Sequence, residues 1–384
     1  MTNTRRGMMG AAGSGASGYK LYTWGKGTNG ALGSGSTTSR STPTQVGTDS
    51  DWATLSVIKE AMFATKSNGT MWVWGNGGSG RLGLGNETNY SSPVQLGSLT
   101  DWPTEVTSTG FVAVGYDNCS IVKPNGTLWS WGSNNYGALG IGASDGECSP
   151  VQVGSLTDWS TVSSMGNHKS VLAIKTNGTL WAWGNNNKGQ LGLGNTTNYS
   201  SPVQVGSLTN WKEVSVGGES GQGMTLASKT DGTFWAWGEG GQGYLARGSD
   251  KTDRSSPVQT GSLTNWNHVI AKRNHQGAVK TDGTLWSWGA AGSGRSGLGN
   301  TTKYSSPVQV GSLTDWSFHD HNYATGFGLK TDGTLWSWGS GTNGSPGHGN
   351  TTTYSSPVQI GSATTWITVR TDVNSGGVVG ALKS

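Results

Sequence analysis

Three short motifs each recur seven times along this chain, and that repetition limits its folds more than any other property. An aromatic-x-Trp-Gly motif ends at Trp24, Trp74, Trp131, Trp183, Trp237, Trp288 and Trp338, at intervals of 50 to 57 residues. A Ser/Thr-Pro-x-Gln motif carries Pro43, Pro93, Pro150, Pro202, Pro257, Pro307 and Pro357. A third marker is Trp52, Trp102, Trp159, Trp211, Trp266, Trp316 and Trp366. With Trp72, Trp129, Trp181, Trp235, Trp286 and Trp336, which open the first motif, these positions account for all 20 tryptophans. The indoles therefore read as packing between sheets.

Each unit also carries a hairpin signal. Asn-Gly-Thr starts at Asn68, Asn125 and Asn177, and Asp-Gly-Thr at Asp231, Asp282 and Asp332. Such dipeptides between alternating apolar runs predict tight two-residue turns of type I′, with φ > 0 at both central positions. Two places before the lysine that closes the preceding run stand Ala64, Ala173, Ala227, Ala278, Gly328 and Ala381, with Ile121 the exception. Small side chains there imply close approach of neighbouring strands.

One unit reads as four strands: a run after the third-marker Trp, then Ser170 to Lys175, Thr179 to Trp183 and Ser201 to Val205 in the third unit. Seven units of four strands predict an all-β, seven-bladed β-propeller. The last strand, Val378 to Lys383, would pair with the first, Tyr19 to Trp24, closing the ring in one blade and removing its open edges. The propeller is expected over residues 19–384. Residues 1–18, with Arg5 and Arg6 ahead of a Gly/Ala/Ser run, read as a tether.

Composition suits this fold and excludes others. Gly is 66 of 384 residues without a three-residue period, so collagen is excluded. A net charge of +4 is too weak to argue for nucleic acid. No Sec signal peptide and no membrane span is evident. Cys119 and Cys148 show no metal-like spacing and read as bystanders, with a bridge between them the alternative.

Strings such as Thr179-Leu-Trp-Ala-Trp-Gly184 followed by Gly189-Gln-Leu-Gly192 resemble the RCC1 repeat family, over about residues 19 to 384. The style Tyr199-Ser-Ser-Pro-Val-Gln-Val-Gly-Ser-Leu-Thr209 is similar to RCC1-like proteins of bacteriophages and aquatic bacteria. The resemblance implies a binding or regulatory role. Family members include a nucleotide-exchange factor for a small GTPase, a plant UV-B photoreceptor and a secreted inhibitor of β-lactamases. No β-wedge insertion of the exchange-factor kind and no Gly-Trp-Arg-His motif of the photoreceptor is evident here.

No catalytic constellation emerges, and no cofactor is expected. His319-Asp320-His321 would place two imidazoles on one strand face and could begin a metal site, but spacing supplies no third ligand, so no metal is assigned. His168 and His275 occupy corresponding positions near the start of the second strand. Asp231, Asp282 and Asp332 interchange with Asn and are turn residues. Glycine strings such as Leu191 to Asn195 lack a Walker lysine.

The segments between the first and second strands differ from unit to unit, and strand direction puts them at one rim. A rigid scaffold with one diversified loop face is how recognition surfaces are commonly built. The candidate partner-binding residues are Lys59, Glu60, Tyr116, Asp117, His168, Lys169, Glu219, Gln222, Lys272, Arg273, His275, His319, Asp320, His321, Tyr323, Asp372 and Asn374. The function expected is a non-enzymatic structural or adhesive module of a phage virion: a capsid decoration, fibre or tail component exposed on the particle. Its partner would be a viral shell or tail protein or a host surface receptor. The alternatives are a cytoplasmic regulator of a GTPase or chromatin-like partner, and a carbohydrate-binding module gripping a glycan.

Overall fold

The computed structural model describes residues 18–106, 112–115, 117–166, 169–218, 223–241, 243–372 and 377–384. Blade III shows why one repeat makes one sheet. Its strands Trp159–Gly166, Ser170–Lys175, Leu180–Gly184 and Tyr199–Gln204 form an antiparallel meander. The second strand, between two others, is buried along its whole length, so it carries no polar alternation. The fourth strand is half-exposed and begins and ends in polar residues.

Blades I (52–95), II (112–152), IV (211–259), V (266–309) and VI (316–359) repeat this plan. Blade VII combines Trp366–Thr371 and Val379–Lys383 with Lys20–Gly25 and Arg40–Gln45. Lys20 lies opposite Lys383 and Trp24 opposite Val379, so the two ends of the chain close the ring as the sequence predicts. The first strands of blades II and III also run side by side in parallel, with Met165 opposite Val114.

The hairpins differ from the expected type I′ geometry. In blade III, Lys175 N–H donates to the Thr179 carbonyl at 3.0 Å and Gly178 N–H to the Lys175 carbonyl at 2.9 Å. That is a three-residue loop closed by a glycine in the left-handed region, with φ +77°. Asn177 keeps negative φ because its side chain is engaged elsewhere: Oδ1 accepts from both the N–H and the hydroxyl of Thr179, at 3.1 and 2.8 Å. The Thr179 hydroxyl in turn receives Trp181 Nε1–H at 3.0 Å.

The tryptophans that end the aromatic-x-Trp-Gly motif hold blade to blade. Trp183 is fully buried, and its Nε1–H donates to the Ala138 carbonyl of blade II at 3.0 Å. The same staple recurs from Trp24 to Ser345, Trp74 to Ala31, Trp131 to Arg81, Trp237 to Gln190, Trp288 to Tyr244 and Trp338 to Arg295. The third-marker Trp159 packs edge-on against Trp181 and Trp183 at 6.0 and 6.2 Å. Lys175 caps this pair, 5.0 and 4.5 Å from the Trp159 and Trp181 ring centres, and meets Asp158 at 3.2 Å. The small residue two before the lysine leaves room for the third-marker indole: a Cβ on Gly328 would lie 2.4 Å from Trp316. Cys119 and Cys148 are both free thiols, so no bridge forms.

The loop that receives each staple turns on a glycine. A Cβ at Gly192 would sit 2.8 Å from Trp237 Nε1, and its φ is +76°. Blade IV breaks the rule: Ala246 stands at the corresponding position with φ +58°. Left-handed backbone costs an L-residue about 1–2 kcal/mol. Ala246→Gly is therefore expected to raise stability by about 0.5–1 kcal/mol after the greater chain entropy of glycine is set against that strain. A rise in the denaturation midpoint checks it; an unchanged or lower midpoint would count against strain at this site.

Candidate binding face and the channel beneath it

An antiparallel meander puts its first turn and its third loop on one face, and its hairpin on the other. The variable first turns therefore share their rim with the glycine-rich loops between strands three and four, a partnership the sequence reading missed. Tyr116, His168, Glu219, Gln222 and Asn374, like Arg5 and Arg6, lie outside the described residues. Of the remaining candidates, Lys59, Glu60, Asp117, Lys169, Arg273 and Tyr323 are half-buried on this face. Lys272, His275, His319, Asp320, His321 and Asp372 are buried. Those six cannot offer a side chain to a docking protein, because the ends of the first strands converge on the ring's neck and bond to one another there.

The half-buried residues clasp neighbouring blades. Glu60 of blade I accepts from Lys26 Nζ and Asn29 Nδ2 of blade VII, both at 2.6 Å. Asp117 of blade II meets Arg81 of blade I at 2.5 Å and Lys59 at 3.4 Å. Lys169 of blade III stands 5.9 Å from the Tyr136 ring of blade II. Asn274 of blade V accepts from the Tyr244 hydroxyl of blade IV at 3.0 Å. Tyr323 of blade VI lies between Arg273 and Arg295 of blade V, at 4.4 and 4.7 Å. Part of the variability in the turns thus matches variability in the preceding blade's loop. Tyr136, which the sequence reading passed over, is 56% exposed and projects from such a loop with φ +62°.

Beneath the face the channel is filled by a polar network. Glu213 accepts from His268 Nδ1 at 2.9 Å and from the Val269 N–H at 3.1 Å. Burial alone would push His268 down, yet the Glu213 charge holds its pKa above the usual imidazole range. Lys272 pairs with Asp320 at 2.5 Å and donates to the Thr371 carbonyl and hydroxyl at 3.0 and 2.9 Å. Asp320 also receives the Thr371 N–H at 3.0 Å. Burial lowers Arg370 to about 10, with Asp320 and Glu213 opposing. The space left among Ser163, Ser215, His268, Lys272 and Arg370 is about 70 Å³. Small-molecule sites are roughly 300–1,000 Å³, so this cavity is no substrate pocket.

Asp372, fully buried, is pushed up to about 8 by desolvation, against the pull of Lys272. Between about pH 4 and pH 8 the folded chain then holds a proton that the unfolded chain has released. Stability accordingly falls as pH rises through that window, by up to about 1.4 kcal/mol per pH unit. Asp372→Asn is expected to flatten that slope in a pH series of melting temperatures; an identical slope in the variant would refute the assignment.

The structure also joins residues that spacing left apart. His275 of blade V meets His319 and His321 of blade VI, one ring nitrogen of each lying within 4.8 Å of the others. His275 and His321 rings stand edge to face at 4.7 Å, and His319 stacks on Trp338 at 5.8 Å. Burial lowers His275 to about 3, helped by the Arg295 charge, and holds the other two well below the ordinary range.

A larger cleft of about 420 Å³ opens between blades VII and I, lined by Ser34, Asp49, Trp52, Trp72 and Ser92. Ser34 stands where Leu84, Leu193 and Leu298 occur in other blades, and Asp49 where Leu99 and Leu208 occur. The shorter side chains leave the cleft open. Among the described residues, no helix is long and apolar enough to cross a membrane.

Comparison with known proteins agrees with this architecture. The family described as "Regulator of chromosome condensation (RCC1) repeat" matches residues 20–58, 68–120, 125–172, 177–220 and 332–371, more than half of the chain. The chain is 34% identical over 160 residues to the ultraviolet-B receptor UVR8 of Arabidopsis thaliana, covering 40% of this chain and 36% of the receptor. It is 29% identical over 182 residues to the E3 ubiquitin-protein ligase HERC2 of Homo sapiens, covering 47% of this chain but 4% of the ligase. The matches thus span a minor part of these relatives' own lengths. The crystal structure of Prp20p from Saccharomyces cerevisiae, described with its binding to Gsp1p and histones, superposes with a TM-score of 0.78. That match covers 96% of this chain and 92% of the yeast chain at 17% identity, a likeness of fold.

Proposed function

This chain belongs to the RCC1 repeat family, and on that premise we propose that it is a non-enzymatic protein-binding module whose loop face docks a protein partner. The observation that carries the reading is the contrast between the two faces. Hairpins and links repeat nearly the same side chains in successive blades, whereas the loop face presents a different set at each blade, with Tyr136 exposed among them. Tyrosine and arginine are the residues that most often anchor protein interfaces. The channel cavity of about 70 Å³ leaves a central ligand no room, which favours recognition by a face. Prp20p, of the same fold, is described with protein partners.

The test is native mass spectrometry of complexes recovered with the tagged chain and with a Tyr136→Ala/Arg273→Glu variant of unchanged melting temperature. A stoichiometric protein held by the first and lost by the second is the expected result. Equal retention would overturn the assignment of the face. The finer reading, a phage virion component, rests on the repeat style of Tyr199 to Thr209. It predicts enrichment of the chain in extracellular particles at a fixed ratio to the shell protein, and it fails if the chain stays in the lysate.

The cleft beside Trp72 favours a second reading, a glycan site, because an indole face with Asp49 and Ser34 nearby suits a sugar ring. A glycan array on which Trp72→Ala and the unchanged chain give the same profile would remove it.

A further inference from the structure

We propose that His275, His319 and His321 form a binding site for a borderline divalent transition-metal ion, with Zn²⁺ as the reference ion. Three imidazoles from two blades converge there, each offering one ring nitrogen within 4.8 Å of the others.

Three independent features support the site. The first is the position of the histidines in the repeat. His319 pairs with Gly328 in the register where Leu55, Val162, Val214, Val269 and Val369 pair with their own small partners. One step of alternation further on, His321 stands where Val57 and Val216 stand. Imidazole has replaced an aliphatic group at 319, and at 321, on the same face, it stands where other blades carry Val, Ala, Ser or Thr. Buried polar groups of this kind cost free energy unless something satisfies them.

The second feature is the space made for them. Gly277 of blade V occupies the position of Phe63, Leu172, Leu226 and Phe327, and a Cβ there would lie 2.3 Å from the His319 ring. Blade V has given up a large core side chain where blade VI places an imidazole.

The third is the state of the ring nitrogens. His321 Nε2–H donates to the His275 carbonyl at 2.8 Å, which leaves Nδ1 with its lone pair. His275 Nδ1–H donates to the Ala290 carbonyl at 3.2 Å, which leaves Nε2 with its own. The Ser287 hydroxyl makes a long hydrogen bond of 3.4 Å to that Nε2, which a metal ion would have to displace. Both nitrogens of His319, and Nδ1 of His321, are buried without a hydrogen-bond partner. A ligating histidine characteristically donates its second N–H to a carbonyl or carboxylate, which fixes tautomer and orientation. Two of the three rings are already held in that way.

All-imidazole sites suit Zn²⁺, Cu²⁺ and Ni²⁺ rather than Mg²⁺ or Ca²⁺. At N–metal distances of about 2.0–2.1 Å a tetrahedral ion needs its nitrogens roughly 3.4 Å apart, so binding would draw the rings together by at most about 1.4 Å. Lys272 and Arg295 also face the trio. Asp320 matches the lysine charge, and a hydroxide or other anion in the fourth position would answer the ion's own.

The test uses the untagged full chain stripped of metal, titrated with ZnCl₂ against a chromogenic chelator at constant pH. One Zn²⁺ per chain is expected. His319→Phe, which keeps a flat ring against Trp338, and His275→Gln should each weaken binding at least 100-fold. His348→Gln, in another part of blade VI, should change it less than 3-fold. Should a variant fail to fold, Co²⁺ added to the unchanged chain decides the matter: intense visible bands of a four-coordinate ion support the site. No stoichiometric ion on the folded chain, or equal affinity in folded His319→Phe, would overturn it.

Discussion

Trp183→Ala is expected to lower the stability of the ring by about 4 kcal/mol, the range found for deleting a large buried aromatic side chain. The indole is fully buried, packs at 6.2 Å against Trp159, and donates Nε1–H to the Ala138 carbonyl of the preceding blade. Alanine removes the packing, leaves a cavity and orphans that carbonyl at one stroke. Trp183→Phe separates the terms: it keeps most of the ring volume but loses the N–H, so the cost should drop to about 1–2 kcal/mol. Denaturant unfolding of both variants measures the difference. A cost below about 1 kcal/mol for the alanine variant would mean that the staple does not hold blade to blade.

The second large effect lies in the channel. Asp320→Ala leaves Lys272 buried without its counter-charge, and breaking one side of such a pair typically costs about 3–5 kcal/mol. The cost arises chiefly from the stranded ammonium, since the Thr371 carbonyl and hydroxyl that remain are neutral acceptors. Lys272→Met in the same chain removes that charge and should recover most of the loss. A double-mutant cycle on unfolding free energies reads the coupling directly. Additive costs for the two substitutions would show that the pair contributes nothing beyond its parts.

How much of this could be read from the chain alone depended on repetition. Trp24 to Trp338 fixed the blade count by their spacing, and Asn177-Gly178 marked its hairpin even though the turn proved to be the three-residue kind. Pairing of Lys20 with Lys383 followed from the split repeat. The face was harder to read. Its candidates vary between blades, but the end of a first strand is buried on both sides, as throughout Trp52–Ile58 and over His319 to His321. Polar residues there carry no alternation that would separate inward from outward. The chain alone therefore points to His319, Asp320 and Asp372 as surface groups, whereas all three lie buried in the neck. His275 joins His319 only through contact between blades, which sequence spacing does not encode. Superimposing the repeats residue by residue would have shown His319 in the place of Val162 and Gly277 in the place of Leu172. The clasps escaped notice because Lys26, Arg81 and Arg295 lie in loops that read as uniform glycine-rich connectors.

The measurement that bears most directly on the central claim is photo-crosslinking from the two faces in the source cells. A photoreactive residue at Tyr136 reports the loop face, and one at Leu208, 44% exposed, reports the opposite rim. One discrete crosslinked protein is expected from position 136 and none from position 208. A discrete product from 208 with none from 136 would place the partner on the repeated face and contradict the account.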